Sequence, residues 1–220
     1  MSDPVFLDNT RSSYNTMAAS YAERFGDYLS AMPLDRAMLA LFAELALAGP
    51  VADIGCGPGL VTGFLHELGL DVFGVDLSPA MIEHARAERP GMRFEVGSMT
   101  ALDIAPTSLA GLNAWYSTIH IPDDRLPDVF AEFFRVLVPG APLMVAFQVG
   151  DEPTHYAEAW GLEVNLTFYR RRPEAVAALL TKAGFEMWAT TVREPTDYAA
   201  NPETRQQAYL IARKPAATAG

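Results

Sequence analysis

The chemistry legible in this chain starts at one strand end. Val51-Ala52-Asp53-Ile54 is an apolar run with a single carboxylate, and it opens directly into Gly55-Cys56-Gly57-Pro58-Gly59. Glycines between a strand and a helix let backbone approach a ligand closely while helix N–H groups point outward. A second apolar run, Val72-Phe73-Gly74-Val75, ends in Asp76, 21 residues after Gly55. A carboxylate there can accept both hydrogen bonds of a ribose diol. A dinucleotide would rest its pyrophosphate on the helix N-terminus. Asp53, two residues ahead of Gly55, would repel pyrophosphate and welcome an ammonium. The ligand expected from this pattern has a nucleoside at one end and an amino acid at the other. Cys56 sits inside the loop and reads as a small spacer beside that ligand rather than a nucleophile.

A second set of residues is placed to meet a reaction partner. Ligands in open α/β sheets lie beyond the carboxyl ends of strands, so Tyr116, Ser117 and His120, at the end of Leu112–Tyr116, fall near the reacting atoms. His120 is the candidate general base, since a free imidazole titrates near neutrality. Gln148 ends the next apolar run. Tyr14 and Tyr21 share one face of an early helix and are expected to cover the site. Trp160, Phe168 and Tyr169 belong to a segment expected to lie over it, an aromatic cover suited to a hydrophobic partner. Arg170-Arg171-Arg172 is the only local basic run and reads chiefly as a solvated turn. No metal site is expected: one cysteine and four histidines without HxxxH or HxH spacing make no ligand cluster.

The elements that must hold these residues follow from apolar spacing. Two helices come first: one from about Thr10 to Phe25, and one that Pro33 opens and Gly49-Pro50 stops, with Asp35 in its first turn where an anion is favoured. The pattern then alternates. Strands are expected at Val51–Ile54, Val72–Val75, Arg93–Val96, Leu112–Tyr116 and Leu143–Phe147. Helices are expected over Leu60–Leu68, after Leu77-Ser78-Pro79 with Ser78 as N-cap, and over Asp124–Leu137. Alternation of this kind implies a mainly parallel α/β sheet covered on both faces. After Gly150 the rhythm changes. An insertion over 150–172 carries a strand-like stretch, Leu162–Tyr169. A helix from Pro173 to Gly184 and two closing strands, Phe185–Val192 and Gln207–Ala212, complete one domain over 1–214. The first 48 residues form a helical cap, and 215–220 a flexible tail.

Composition excludes several classes. The 220 residues carry 16 Lys+Arg against 27 Asp+Glu, a net charge of −11. Nucleic acid and anionic membranes call for clustered positive charge, so neither is expected as a partner. No apolar run is long enough to span a bilayer, and Met1-Ser2-Asp3-Pro4 does not read as a signal peptide. A cytoplasmic protein is expected, monomer or homodimer.

Asp53-Ile54-Gly55-Cys56-Gly57-Pro58-Gly59 followed by Val75-Asp76-Leu77-Ser78-Pro79-Ala80-Met81 resembles the class I S-adenosylmethionine (SAM)-dependent methyltransferases. Arg135-Val136-Leu137-Val138-Pro139-Gly140 and Ala183-Gly184-Phe185 resemble them too, and Tyr14-Asn15 with Ala18 and Tyr21 resembles the cap helix of their small-molecule branch. The resemblance covers roughly 10–214. It implies a Rossmann-like doubly wound seven-stranded sheet, mostly parallel with an antiparallel last strand. It also implies SAM as cofactor, leaving as S-adenosylhomocysteine. Asp53 and Gly55, Cys56, Gly57 and Gly59 would line its methionine moiety. Asp76 would take the ribose, Ser98 and Met99 would flank the adenine, and Leu77, Met81, Tyr21 and Tyr116 would complete the cofactor contacts. Tyr14, Ser117, His120, Gln148, Trp160 and Tyr169 would face the methyl acceptor. Two departures stand out. Ser98 replaces the usual acid after the third strand, which implies either a weaker grip on adenine or one that rests on backbone groups. Ser108-Leu109-Ala110 lacks the family's acid before the fourth strand, and a structural consequence is expected. The function implied is methyl transfer from SAM to an oxygen, nitrogen or carbon of a small, fairly apolar molecule, in a setting such as secondary metabolism. Two alternatives are an NAD-binding oxidoreductase and a protein of this fold that binds SAM without transferring its methyl group.

Overall fold

In a computed structural model of the chain, residues 4–197 and 202–216 are described. Residues 1–3 of the expected cap and 217–220 of the expected tail lie outside them.

Three helices precede the sheet: α1 (Val5–Phe25), α2 (Tyr28–Ala31) and α3 (Pro33–Leu45). α1 begins earlier than its apolar spacing predicts. Pro4 cannot continue a helix backwards, so it stands at the N-cap, and its carbonyl accepts from Leu7 N at 2.9 Å. The polar first turns hide this start, although an Asp8–Arg11 pair at 2.7 Å supports them.

The alternating part runs β1 (Pro50–Ile54), α4 (Leu60–Glu67), β2 (Asp71–Asp76), α5 (Pro79–Glu88), β3 (Phe94–Val96), β4 (Gly111–Trp115), a short 3-10 turn (Thr118–His120), α6 (Leu126–Val136) and β5 (Pro142–Gln148). An antiparallel hairpin follows, β6 (Thr154–Ala159) with β7 (Leu162–Phe168). Then come α7 (Pro173–Lys182), β8 (Glu186–Arg193) and β9 (Gln207–Arg213). The stretch after Gly150, expected as an insertion with one strand, therefore forms a two-stranded hairpin outside the main sheet. Its first strand is mostly exposed, which is why apolar patterning does not reveal it.

The main sheet has seven strands in the order β3-β2-β1-β4-β5-β9-β8. β1 to β5 are parallel, and β9 runs antiparallel to both its neighbours. β4 and β5 are buried along nearly their whole length, as central strands covered on both faces must be. One face carries α6 through Leu126, Val129, Phe130, Phe133 and Val136, which recur at three- and four-residue spacing. The other face carries Met38, Leu39 and Phe42 of α3 together with Val61 and Leu65 of α4. The order turns back on itself between β1 and β4, where a parallel sheet opens a crevice at its carboxyl ends.

A buried polar hub fastens the cap to the sheet. Asp35, expected as a helix-start anion, is fully buried and accepts from Tyr28 and, at 2.6 Å, from the Tyr209 hydroxyl. Arg193 Nε lies 3.3 Å from it and donates to Tyr209 Oη at 3.0 Å. The same guanidinium grips Glu203 with two nitrogens. α2, α3, β8, β9 and the 202–206 segment thus meet on one ion cluster. Removing one partner of a buried pair leaves an uncompensated charge. Arg193→Met is therefore expected to cost about 3–5 kcal/mol in urea unfolding, with part of the loss regained in the Arg193→Met/Asp35→Asn double variant.

Candidate active site

The glycine loop is built around Asp53. This carboxylate is 1% exposed, accepting from Thr62 Oγ1 at 2.7 Å and from Asn113 Nδ2 at 2.7 Å. Asn113 is its registered neighbour on β4, and Thr62 lies in the first turn of α4. One side chain therefore pins β1, β4 and α4 together at the two ends of the loop. Burial raises its pKa to about 6, opposed by the two hydrogen bonds. The direct ammonium contact expected of Asp53 is modified: both its oxygens already have partners within the chain, and it reaches the crevice mainly as negative charge behind the loop.

Asp76 closes the loop from the other side. It accepts from Gly57 N and Ser78 N, each at 2.8 Å. Burial raises its pKa against the pull of those backbone bonds. Gly55 N donates to Val75 O at 2.7 Å, which seats the loop on β2. The first two glycines have left-handed backbone, φ +76 at Gly55 and +53 at Gly57, a region L side chains rarely adopt. A Cβ on Gly55 would strike Ser117 Cβ at 2.2 Å, whereas one on Gly57 would meet nothing within 4 Å. The loop is tight against the protein at one glycine and open at the other. Ser78 caps α5 as expected, accepting from Met81 N at 3.2 Å.

Two cavities meet over this loop, sharing Tyr14, Tyr21, Gly55, Gly57, Trp115 and Tyr116 as common wall. The smaller, about 90 Å³, is lined by Asp76, Leu77, Met81, Ser98 and Met99, the residues expected at nucleoside and adenine. The larger, about 870 Å³, is lined by Asp53, Cys56, Gln148 and Trp160. Ser98 Oγ is 2.8 Å from Thr100 Oγ1, in a local turn. Cys56 is buried against Ile82, Ala85 and Phe94, and burial raises its thiol pKa well above the ordinary range, consistent with a spacer. The Ser117 hydroxyl is buried without a partner and belongs to a residue lining the smaller cavity. The crevice therefore presents open backbone at Gly57, the Asp76 carboxylate and an unpartnered Ser117 hydroxyl.

The expected acceptor residues divide. Tyr14 lines both cavities, and Gln148 and Trp160 the larger one. Ser117 and His120 line the smaller cavity instead, because the chain turns into the Thr118–His120 helix just past β4. Tyr169 lines neither: its N–H is spent on Ile119 O at 2.7 Å, and its ring lies under the Arg171 guanidinium. Tyr116 falls one residue beyond β4 with φ +50, an unusual conformation for an aromatic residue, and its hydroxyl is 3.2 Å from Tyr209 Oη.

His120 is 7% exposed, and both ring nitrogens have partners. Nδ1 is 3.0 Å from Thr167 O and Nε2 2.8 Å from Tyr14 Oη. A carbonyl only accepts, so Nδ1 carries the proton, Nε2 is the acceptor, and Tyr14 donates. Burial lowers the imidazole pKa to about 4 and raises the Tyr14 pKa well above its ordinary value. The ring expected to meet the acceptor directly stands behind a tyrosine.

Thr62 and the Asp35 hub are not evident from sequence. Asn113, a lone amide in an otherwise apolar strand, is the one signal that could have led to the Asp53 clamp, and the reading of the strand as apolar passed over it.

Asp53 and His120 act oppositely on stability. The folded-state pKa of Asp53 is raised, so its contribution is present below about pH 4 and lost as pH rises through about 6. That of His120 is depressed, so its contribution is present above 6.5 and lost as pH falls through about 4. Urea unfolding at pH 7 and pH 4.5 is expected to show steeper acid destabilisation in Asp53→Asn than in the parent, and shallower in His120→Asn. Each difference should be about 2–3 kcal/mol at most.

Residues 51–140 match the family described as Methyltransferase domain. The chain is 29% identical over 191 residues to 24-methylenesterol C-methyltransferase 2 of Oryza sativa subsp. japonica, spanning 80% of this chain and 48% of that protein. It is 33% identical over 144 residues to Trans-aconitate 2-methyltransferase of Rhizobium meliloti (strain 1021), spanning 63% and 52%. The chain thus spans about half the length of these relatives. Among solved structures, magnesium protoporphyrin IX methyltransferase from Synechocystis PCC 6803 with bound SAM has the same fold, with TM-score 0.72 and 15% identity over 97% of this chain and 99% of that one. These findings do not favour the oxidoreductase alternative. Motif, sheet order and solved structures converge on the fold: the chain has the Rossmann-like fold of the SAM-dependent methyltransferases, and its residues 51–140 match a methyltransferase domain.

Proposed function

We propose that the chain transfers a methyl group from SAM to an oxygen, nitrogen or carbon of a small, fairly apolar molecule. The observation that carries this is the meeting of two cavities over an open glycine, with nucleoside-type residues in one and aromatic side chains around the other. When bound, SAM supplies a methyl carbon already activated by its sulfonium. The chain's own groups have three tasks. Asp76, oriented by Gly57 N and Ser78 N, keeps lone pairs for a ribose diol. Tyr21, Phe25, Trp160 and Phe168 line the larger cavity with rings that exclude water and favour an apolar occupant. Tyr14 donates its own proton to His120 Nε2, so its oxygen is left as an acceptor at the junction. A proton released by the methyl acceptor passes to Tyr14 as the Tyr14 proton moves onto His120. Burial keeps His120 unprotonated at neutral pH, with Nε2 as the accepting nitrogen.

This reading takes residues 1–214 as one domain, with 1–48 as cap and 150–172 as cover over the site. No helix among the described residues is long and apolar enough to cross a membrane. The net charge of −11 argues against nucleic acid as a partner; a cytoplasmic location and a monomer or homodimer belong to the same reading.

Calorimetry tests the cofactor. SAM should bind saturably and NAD should not, and Asp76→Ala should weaken SAM at least tenfold; a folded protein that ignores SAM would overturn the proposal. Once an acceptor is in hand, Tyr14→Phe and His120→Ala should each lower kcat by about 10²-fold with SAM affinity unchanged. Turnover equal to the parent's in either variant would remove the proton relay.

A further inference from the structure

The three consecutive arginines have three different environments. Arg171 is buried, with Nε 2.8 Å from Asp123 Oδ1 and further bonds to main-chain carbonyls. Arg172 is exposed and paired with Asp151. Arg170 lines the larger cavity, and among the described residues no carboxylate stands within ion-pair distance of it. Its Nη1 and Nη2 donate to the Thr154 and Tyr156 hydroxyls, which leave its charge uncompensated. Its Nε is buried with no acceptor at all. Glu203, on the same wall, is committed to Arg193.

Gln148 stands beside it. Arg171 N donates to Gln148 O at 3.4 Å, and Val149 bridges Arg171, so the end of β5 runs alongside the arginine segment. The bare Gly150 allows this: a Cβ there would fall 2.9 Å from Arg170 Cβ. Gln148 Oε1 is likewise buried without a partner. A buried donor or acceptor left unpaired costs on the order of 1–3 kcal/mol, and one of each on residues that line the same cavity is unusual in a native structure. The Nε edge of a guanidinium matches the two oxygens of a carboxylate. Phe25, Trp160 and Phe168 supply rings to the same wall, which also carries Glu23, Glu88, Glu158 and Arg205.

We infer that the larger cavity selects a planar, aromatic acceptor bearing a carboxylate, held by Arg170, and a hydroxyl or amino donor, held by Gln148. The inference rests on the methyltransferase reading, in which this cavity is the acceptor side, and adds a charge requirement to its apolar character.

The probe is 6-hydroxy-2-naphthoate, with its methyl ester as the neutral control. Each is titrated calorimetrically into the full chain, with and without saturating S-adenosylhomocysteine, whose own binding is measured separately. The acid should bind at least tenfold more tightly than the ester. Arg170→Gln should abolish that preference while leaving S-adenosylhomocysteine affinity and the melting temperature unchanged. Arg170→Lys should keep part of the preference, which guards against a glutamine variant that folds poorly, and Arg172→Gln should keep all of it. Equal binding of acid and ester, binding of neither, or a preference that survives in Arg170→Gln overturns the inference. Loss of S-adenosylhomocysteine binding with the acid preference intact would instead strike the cofactor reading alone.

Discussion

The buried carboxylate of Asp53 is the constraint on which the site depends. A glycine loop that must hold left-handed backbone has little of its own to keep it in place, because glycine surrenders the most conformational freedom on folding. Here its two ends are joined through one side chain, to Thr62 at the start of α4 and to Asn113 on the neighbouring strand. Burying a carboxylate is unfavourable, and its raised pKa records that cost. Two short hydrogen bonds to neutral donors offset part of it and fix the strand–loop–helix corner in a single geometry. Asp76 then bonds Gly57 and Ser78 across that corner, and both cavities inherit their common wall from it.

The polar interior has a second centre with a different task. The Asp35–Arg193 cluster lies away from the glycine loop, yet Tyr209 links it to Tyr116 at the cavity junction. Tyr209 gives its proton to Asp35, so the Tyr116 hydroxyl must donate toward Tyr209 and turn its lone pairs elsewhere. A residue in unfavourable backbone geometry persists when its surroundings over-determine it. Helical cap, closing hairpin and site are coupled through a chain of hydroxyls rather than through apolar packing alone.

Much of this fold could be read from residues. The alternation of short apolar runs with helical spacing located β1 to β5 and the helices between them, because central strands and amphipathic helices announce themselves by burial. Ser78 and Pro79 marked a helix start through local chemistry. β6 was missed because Tyr156 and its neighbours face solvent, and the early turns of α1 because Asp8, Asn9 and Thr10 carry no apolar stripe. In the site, the glycines and Asp76 were legible because a tight turn and a strand-end acid have few alternatives. The place of His120 behind Tyr14 was not, since it depends on a contact between residues 106 apart in sequence. Nor were the fates of the three arginines, which separate only when the hairpin and β5 lie side by side. Patterning reports which side chains are buried; pairing between distant polar groups is settled by topology.

The helix α1 is attached to the rest of the protein in an uneven way. Asn15 Oδ1 accepts from Ser78 Oγ at 2.7 Å, Ser13 Oγ accepts from Asn165 N at 2.8 Å, and Tyr14 meets His120 at 2.8 Å. All three links are between neutral groups, and each is worth on the order of 1 kcal/mol net. Neutral links of this size are barely screened by salt. One of them joins the helix to the cap of α5 and another to the ring that would receive a proton. These three links are indifferent to ionic strength, and any loosening of them is felt at both ends of the crevice together.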